Sequence, residues 1–378
     1  MRAIKLFLFV FIMSIAKLAA QAQPMPEYHL LVGTFATEGK PNGIHIFRFN
    51  TETGEFQPAQ PMTELANASW LAVSKDRQNV YAISGGPGGG KVNAFAFDPL
   101  SGDLRLMNSV AARGPAYVAV DDKKQFVFSG NYGGGNVLAV RLNTDGSLSA
   151  ADTQVIQHEG SSVVKERQEK PHVHAAVLSL DDRYLLVPDL GTDKVYQYRV
   201  NVNQKHILEP SDIPFLSVKP GGGPRHLAFH PNGKYAYLVL ELDGSVMALD
   251  YHDGKLDAKQ SISMVTPDFK GQLSGADIHV SPDGKFLYAS NRGDANEIAI
   301  YSISKKGRLA LIDRQSVLGK MPRNFVIDPT GKFLLVANQV SNEIIIFKRN
   351  HKTGLLTPTG KKIAVEKPVC LQFAAIGK

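Results

Sequence analysis

Leu227-Ala228-Phe229-His230-Pro231-Asn232-Gly233-Lys234-Tyr235-Ala236-Tyr237-Leu238-Val239-Leu240 is the stretch from which the fold of this chain can be read. Two short apolar runs flank Pro-Asn-Gly-Lys, and Asn-Gly or Asp-Gly between such runs marks a hairpin turn. The turn recurs as Ser281-Pro282-Asp283-Gly284-Lys285 and Asp328-Pro329-Thr330-Gly331-Lys332. Degenerate copies stand at Asp121-Asp122-Lys123-Lys124 and Leu180-Asp181-Asp182-Arg183. An aromatic residue follows each one: Phe126, Tyr184, Tyr235, Phe286 and Phe333, at intervals of 58, 51, 51 and 47, with a weaker copy over 73–81. A period near fifty belongs to propellers and solenoids.

Around each turn the sequence reads as four short strands: in the copy quoted, 227–229, 235–240, 244–251 and 262–265. No helical pattern of ten residues separates them, which excludes parallel βαβ units. Four antiparallel strands per repeat describe a propeller blade. Six inner strands lie near Trp70, Tyr117, Ala176, Leu227, Ile278 and Phe325, and a seventh, 368–373, has no chain left to complete its blade. The runs 28–32, 43–49 and 53–56 supply the missing strands. The expected fold is all-β: a seven-bladed β-propeller over residues 27–376 as one domain, with the N- and C-terminal segments sharing one blade, which removes open sheet edges.

Composition is consistent with this. Hydrophobic residues at 43% and charged residues at 20% exclude a largely disordered chain, and 34 glycines and 21 prolines without a triplet period indicate turns rather than collagen. The single Cys370 excludes an intrachain disulfide framework or a multi-cysteine zinc site, and reads as a small buried hydrophobe. Arg2 and Lys5, the apolar run 6–15 and Ala20-Gln21-Ala22 form a secretory leader over 1–22, so the mature protein is expected to be exported, periplasmic or secreted, and free of the membrane. Without Arg2, Lys5 and Lys17 the formal charge falls from +7 to +4. The remaining basic residues are scattered, and a nucleic-acid partner, which needs a clustered footprint, is excluded.

Strand direction states which residues meet. In a four-stranded blade the start of the inner strand and the end of the second lie on one face, opposite the Pro-Asp-Gly-Lys turns. His172, His174, Arg225, His226 and Arg323 start inner strands; Asp189, Glu241, Arg292 and Gln339 end second strands. These residues are expected to surround the mouth of the central channel. Gly85-Gly86-Pro87-Gly88-Gly89-Gly90-Lys91 approaches a phosphate loop, but Val92 replaces the hydroxyl residue and no helix follows, so a blade loop is expected. His172 and His174 share a strand face, as metal ligands can, but no carboxylate set accompanies them; neither a metal nor another cofactor is expected. Trp70 is assigned to core packing, and the charged segment 158–170 reads either as a lid or as a long surface loop.

Read in order, Glu166-Arg167-Gln168, Pro171-His172-Val173-His174, Val187-Pro188-Asp189-Leu190-Gly191-Thr192-Asp193, Gly223-Pro224-Arg225-His226, Glu241-Leu242, Ala276-Asp277-Ile278-His279, Asn291-Arg292 and Pro322-Arg323-Asn324-Phe325 carry a resemblance. The chain resembles the seven-bladed lactonase family, which includes propeller-type 6-phosphogluconolactonases and carboxy-muconate lactonising enzymes. The resemblance implies a catalytic set of His174, Arg225, Glu241 and Arg292, with Arg323, His172, Arg167 and Asp189 as neighbours around a small-molecule lactone; strand direction adds His226 and Gln339 to the expected substrate-binding residues. Leu240 departs from the family, which often has Asn before the glutamate. The chemistry implied is hydrolysis of a sugar lactone in carbohydrate metabolism. Arginines would stabilise the charge that develops on the carbonyl oxygen, and Glu241 or His174 would activate water. Lactonisation of a muconate-type acid and a non-catalytic propeller binding carbohydrate or protein are the rival readings.

Overall fold

The computed structural model describes residues 27–377 apart from 40–41, 87–88 and 203–205; the leader expected over 1–22 lies outside the described residues. Among the described residues there are seven four-stranded antiparallel sheets and no helix. Six sheets are continuous in sequence: blade 1 spans 71–111, blade 2 115–157, blade 3 177–217, blade 4 224–263, blade 5 275–316 and blade 6 322–364. The seventh joins Pro368–Ala375, as inner strand, to Glu27–Thr34, Gly43–Asn50 and Phe56–Glu64, with Leu30 opposite Phe373. The shared blade expected from the strand count is present.

Blade 4 shows why the repeat takes this form. Its second strand, Tyr235–Leu240, is buried at every position after Tyr235, because both faces of a blade pack against neighbouring blades. Its outer strand, Lys255–Ser263, reaches the rim and is mostly exposed or half-buried. The turn places Gly233 at φ 69°, a left-handed conformation that glycine adopts without steric cost. The degenerate turns keep that conformation with ordinary residues: Lys124 at φ 54° and Asp182 at φ 59°. Hydrogen bonds from Gln125 N and Phe126 N to Asp121 Oδ1, at 2.8 and 2.6 Å, offset the strain in blade 2.

The aromatic after each turn couples blades. A Cβ on Gly254 would lie 2.2 Å from the ring of Tyr184, on Gly307 2.6 Å from Tyr235, and on Gly354 2.4 Å from Phe286. Each ring therefore sits in a notch that only glycine leaves open on the next blade. Amide side chains add a second coupling: Gln154 and Gln260 each bond both backbone groups of a leucine on the next blade, Leu208 and Leu309, at 2.7–2.9 Å. Cys370 is fully buried, as expected, and its sulfur accepts from Leu71 N.

Candidate active site

One cavity of about 760 Å³ lies on the ring axis, with a wall residue from every blade: Ser69, Tyr132, His174, Glu241, Arg292, Arg323 and, from the shared blade, Phe35. Two backbone devices aim these side chains. The register between first and second strands slips across Pro224 and His226, Pro322 and Asn324, and Pro115 and Tyr117. Arg225, Arg323 and Ala116 are the inserted residues, and a bulge of this kind re-aims a side chain. In blade 3 the bridge Val173–Asp189 puts His174 in the same place. The second device is the first residue past the second strand, whose N–H bonds back to the inner-strand loop: Glu241 N to Gly223 O at 2.7 Å and Arg292 N to Ser274 O at 2.9 Å.

Glu241 is the hub. It is nearly fully buried, and Oε2 accepts from Arg225 Nε at 2.9 Å and pairs with Arg292 Nη2 at 3.1 Å, while Oε1 accepts from Arg167 Nη2 at 2.6 Å. Burial alone would raise its pKa, but Arg292, Arg225 and Arg167 bring it down to about 2. His174 Nε2 stands 4.0 Å from Glu241 Oε2, and its buried Nδ1 has no partner among the described residues. Burial, then the charges of Arg225, His226 and Arg323, keep His174 well below the usual imidazole value, so it is neutral at pH 7. Arg225 lies beneath the cavity, 1% exposed, with Nη1 donating to Ala276 O at 2.5 Å. Arg323 is half-buried with its guanidinium 5.0 Å over the Phe35 ring; burial and Arg292 lower its pKa to about 10.

The remaining expected binding residues have other partners and do not line the cavity. Asp189 is fully buried, accepting from His172 N at 2.8 Å and Gly191 N at 3.0 Å while His158 Nδ1 bonds its second oxygen at 2.8 Å. It holds the turn that carries His174. His172 stacks on Tyr132 with centroids 4.4 Å apart and bonds Glu169. His226 points into the channel below Arg225 and bonds Asp277; Gln339 repeats the backbone bond of Glu241, to Met321 O, without entering the cavity wall. Asp189 occupies the register of Leu240 and Asn291, and the true counterpart of Glu241 is Leu190. A one-residue offset turns a strand side chain to the opposite face.

Tyr132, Phe35, Lys170 and Asp277 were not singled out from sequence as site residues. Tyr132 had a usable signal, since it follows Asn131 as Arg292 follows Asn291. The segment 158–170 is neither a free lid nor plain surface loop: Arg167 and Lys170 form cavity wall, and the buried Gln168 fastens it through Nε2 to Leu190 O at 2.8 Å. Gly85 also lines the cavity and pairs with Gly90 across adjacent strands of blade 1; residues 87–88 of the glycine-rich run lie outside the described residues. Trp70 is buried in the core, as assigned, stacked on Tyr117 at 4.5 Å. Leu240, the departure from the family pattern, is buried in the core between blades 3 and 4. Among the described residues no group of three His, Cys, Asp or Glu side chains is arranged to hold a metal ion.

Fold and cavity together define a closed propeller with a cationic, carboxylate-centred site on its axis. The chain belongs to the seven-bladed β-propeller lactonase family, whose model matches residues 29–373. It is similar to a 6-phosphogluconolactonase of Formosa agariphila, 38% identical over 352 residues, 91% of this chain and 99% of the relative. A 6-phosphogluconolactonase of Bacillus subtilis is 37% identical over 354 residues, covering 92% and 99%. Among solved structures, the periplasmic gluconolactonase of Pseudomonas aeruginosa superposes with a TM-score of 0.88 at 35% identity, covering 93% of this chain and all of that one.

Proposed function

We propose that the protein is a carboxylic ester hydrolase that opens a sugar lactone to its hydroxy acid, with His174, Arg225, Glu241 and Arg292 as the reacting centre. The observation that carries this reading is Glu241 bound by three guanidinium groups with His174 Nε2 4.0 Å away. A water can bridge imidazole and carboxylate across that gap. His174, held neutral by burial and the surrounding positive charge, takes the proton as water oxygen bonds to the lactone carbonyl, while the three arginines keep the Glu241 carboxylate ionised. The carbonyl oxygen gains charge that the guanidinium groups stabilise. The ring C–O bond then breaks, and the proton passes from His174 to the departing oxygen. At neutral pH the new acid ionises, so one proton is released per turnover.

Arg323 has no carboxylate partner among the described residues, and Lys170 bonds only Gly133 O. This surplus of positive charge favours a lactone that carries an anionic substituent, as a phosphate ester does. Export of the protein is supported by the leader pattern over 1–22 and by similarity to a periplasmic relative. The test is proton release from gluconolactone, 6-phosphogluconolactone and a carboxylated sugar lactone, corrected for spontaneous hydrolysis, with Arg225→Ala and Glu241→Ala run beside wild type. Acceleration by wild type that is lost in both folded variants supports the reading; no acceleration with any lactone, or equal rates in the variants, overturns it.

A further inference from the structure

Behind the reacting centre lies a buried polar chain that the lactonase chemistry does not use directly, and we infer that His226 and Asp277 are a positioning pair that fixes the Arg225 guanidinium. The inference rests on the proposed reaction at the cavity for its kinetic consequence, but not for its geometry.

The chain of contacts is continuous. Arg225 Nη1 faces the imidazole, 3.2 Å from Nε2 and 3.4 Å from Nδ1, and His226 Nδ1 lies 2.8 Å from Asp277 Oδ1. A guanidinium only donates hydrogen bonds and a carboxylate only accepts them. Asp277 therefore fixes the imidazole proton on Nδ1, while Nη1, nearly equidistant from the two ring nitrogens, lies against the ring rather than along the Nε2 lone pair. An imidazolium would set a second positive charge against the Arg225 guanidinium. Burial and the Arg225 charge, opposed by Asp277, bring the imidazole down to about 4, so this neutral form persists through the neutral range.

Asp277 is itself immobilised. Its Oδ2 accepts from Asn324 Nδ2 at 2.5 Å and lies 3.0 Å from His279 Nε2, while its backbone N–H bonds Ser290 Oγ. The imidazole has little room to turn, because Trp70, His174 and Tyr117 press on it with ring centroids at 4.9, 5.2 and 5.7 Å. The contacts of Arg225 thus occupy Nε, bonded to Glu241, and Nη1, bonded to Ala276 O and packed against the His226 ring, and leave the Nη2 corner for the reaction. A guanidinium held on two corners cannot rotate away when charge builds on the substrate.

The test uses the whole protein with labelled nitrogen in histidine and arginine, assigning His226 by its loss in His226→Gln. The wild type is expected to show a neutral imidazole protonated at Nδ1 and separate, slowly exchanging Nη signals for Arg225 that merge in His226→Leu. In lactone hydrolysis, His226→Leu is expected to lower kcat about 100-fold, the scale of an ångström-level misplacement, with KM within about threefold. Gln keeps the donor for Asp277 and a polar group against Nη1, so His226→Gln is expected to recover kcat to within about tenfold of wild type. An Nε2–H tautomer in the wild type, or equal kcat in folded Leu and Gln variants, overturns the inference. Should the wild type open no lactone, the proposed function fails separately, and the tautomer and Arg225 signals alone decide the positioning.

Discussion

Glu241→Gln keeps the shape of the hub and removes its charge, leaving Arg225 and Arg292 buried without a counterion. The carboxyl titrates near 2 in the folded protein against 4.5 when free, and this difference contributes about 3 kcal/mol of stability at neutral pH. Because the folded value is the lower one, the contribution is complete above pH 4.5 and is lost as pH falls from there through about 2. With about 2.1 cal/mol/K of unfolding entropy per residue over roughly 350 residues, 3 kcal/mol corresponds to a Tm lower by about 4 °C. Calorimetric melts of wild type and variant at pH 7, 4 and 2.5 are the assay, and the difference between the two proteins is the quantity read. It should be near 4 °C at pH 7 and shrink steadily below pH 4.5. A variant as stable as wild type at pH 7, or a difference that ignores pH, would refute the view that the three arginines hold this carboxyl ionised.

Three further outcomes are expected. Since His174 accepts a proton only when neutral and its pKa is held below 6.5, kcat/KM should be flat from pH 6.5 upward and fall below it; initial rates in which the acid limb is centred above 6.5 would remove His174 as base. Asp189→Ala leaves the buried N–H groups of His172 and Gly191 without their acceptor, and should cost about 2 kcal/mol or more in urea titration. Gly254→Ala brings a methyl to 2.2 Å from Tyr184 at φ 80°, whereas Gly360→Ala at φ 78° meets nothing within 4 Å. Thermal melts should therefore show Gly254→Ala less stable than Gly360→Ala by about 2 kcal/mol or more, the clash added to a shared backbone strain.

The blade count was legible because each repeat writes its own turn and aromatic, and because a four-stranded unit leaves an arithmetic remainder that only the other end of the chain can fill. The site was legible to the level of which face and which loops. Side-chain direction was not: period-two alternation sets Asp189 apart from Leu190, and the bulges at Arg225 and Arg323 reverse that parity locally. His226 and Arg225 are neighbours in sequence, yet one enters the channel and the other approaches Glu241. Asp277 stood in one of the quoted motifs without a role, since its partners His226 and Asn324 come from the two adjacent blades.

The shared blade also governs how the ring comes apart and together. Until Pro368–Ala375 pairs with Glu27–Thr34, the chain is an open arc: the opening meander has an unpaired inner edge and blade 6 an uncovered flank. Pairing so distant in sequence closes slowly, so a chain still emerging from a ribosome cannot lock prematurely. Once the clasp is shut, neither Glu27–Thr34 nor Pro368–Ala375 can fray without breaking the pairing between them. Unravelling must then begin by breaking a sheet, which turns modest equilibrium stability into long-lived kinetic resistance.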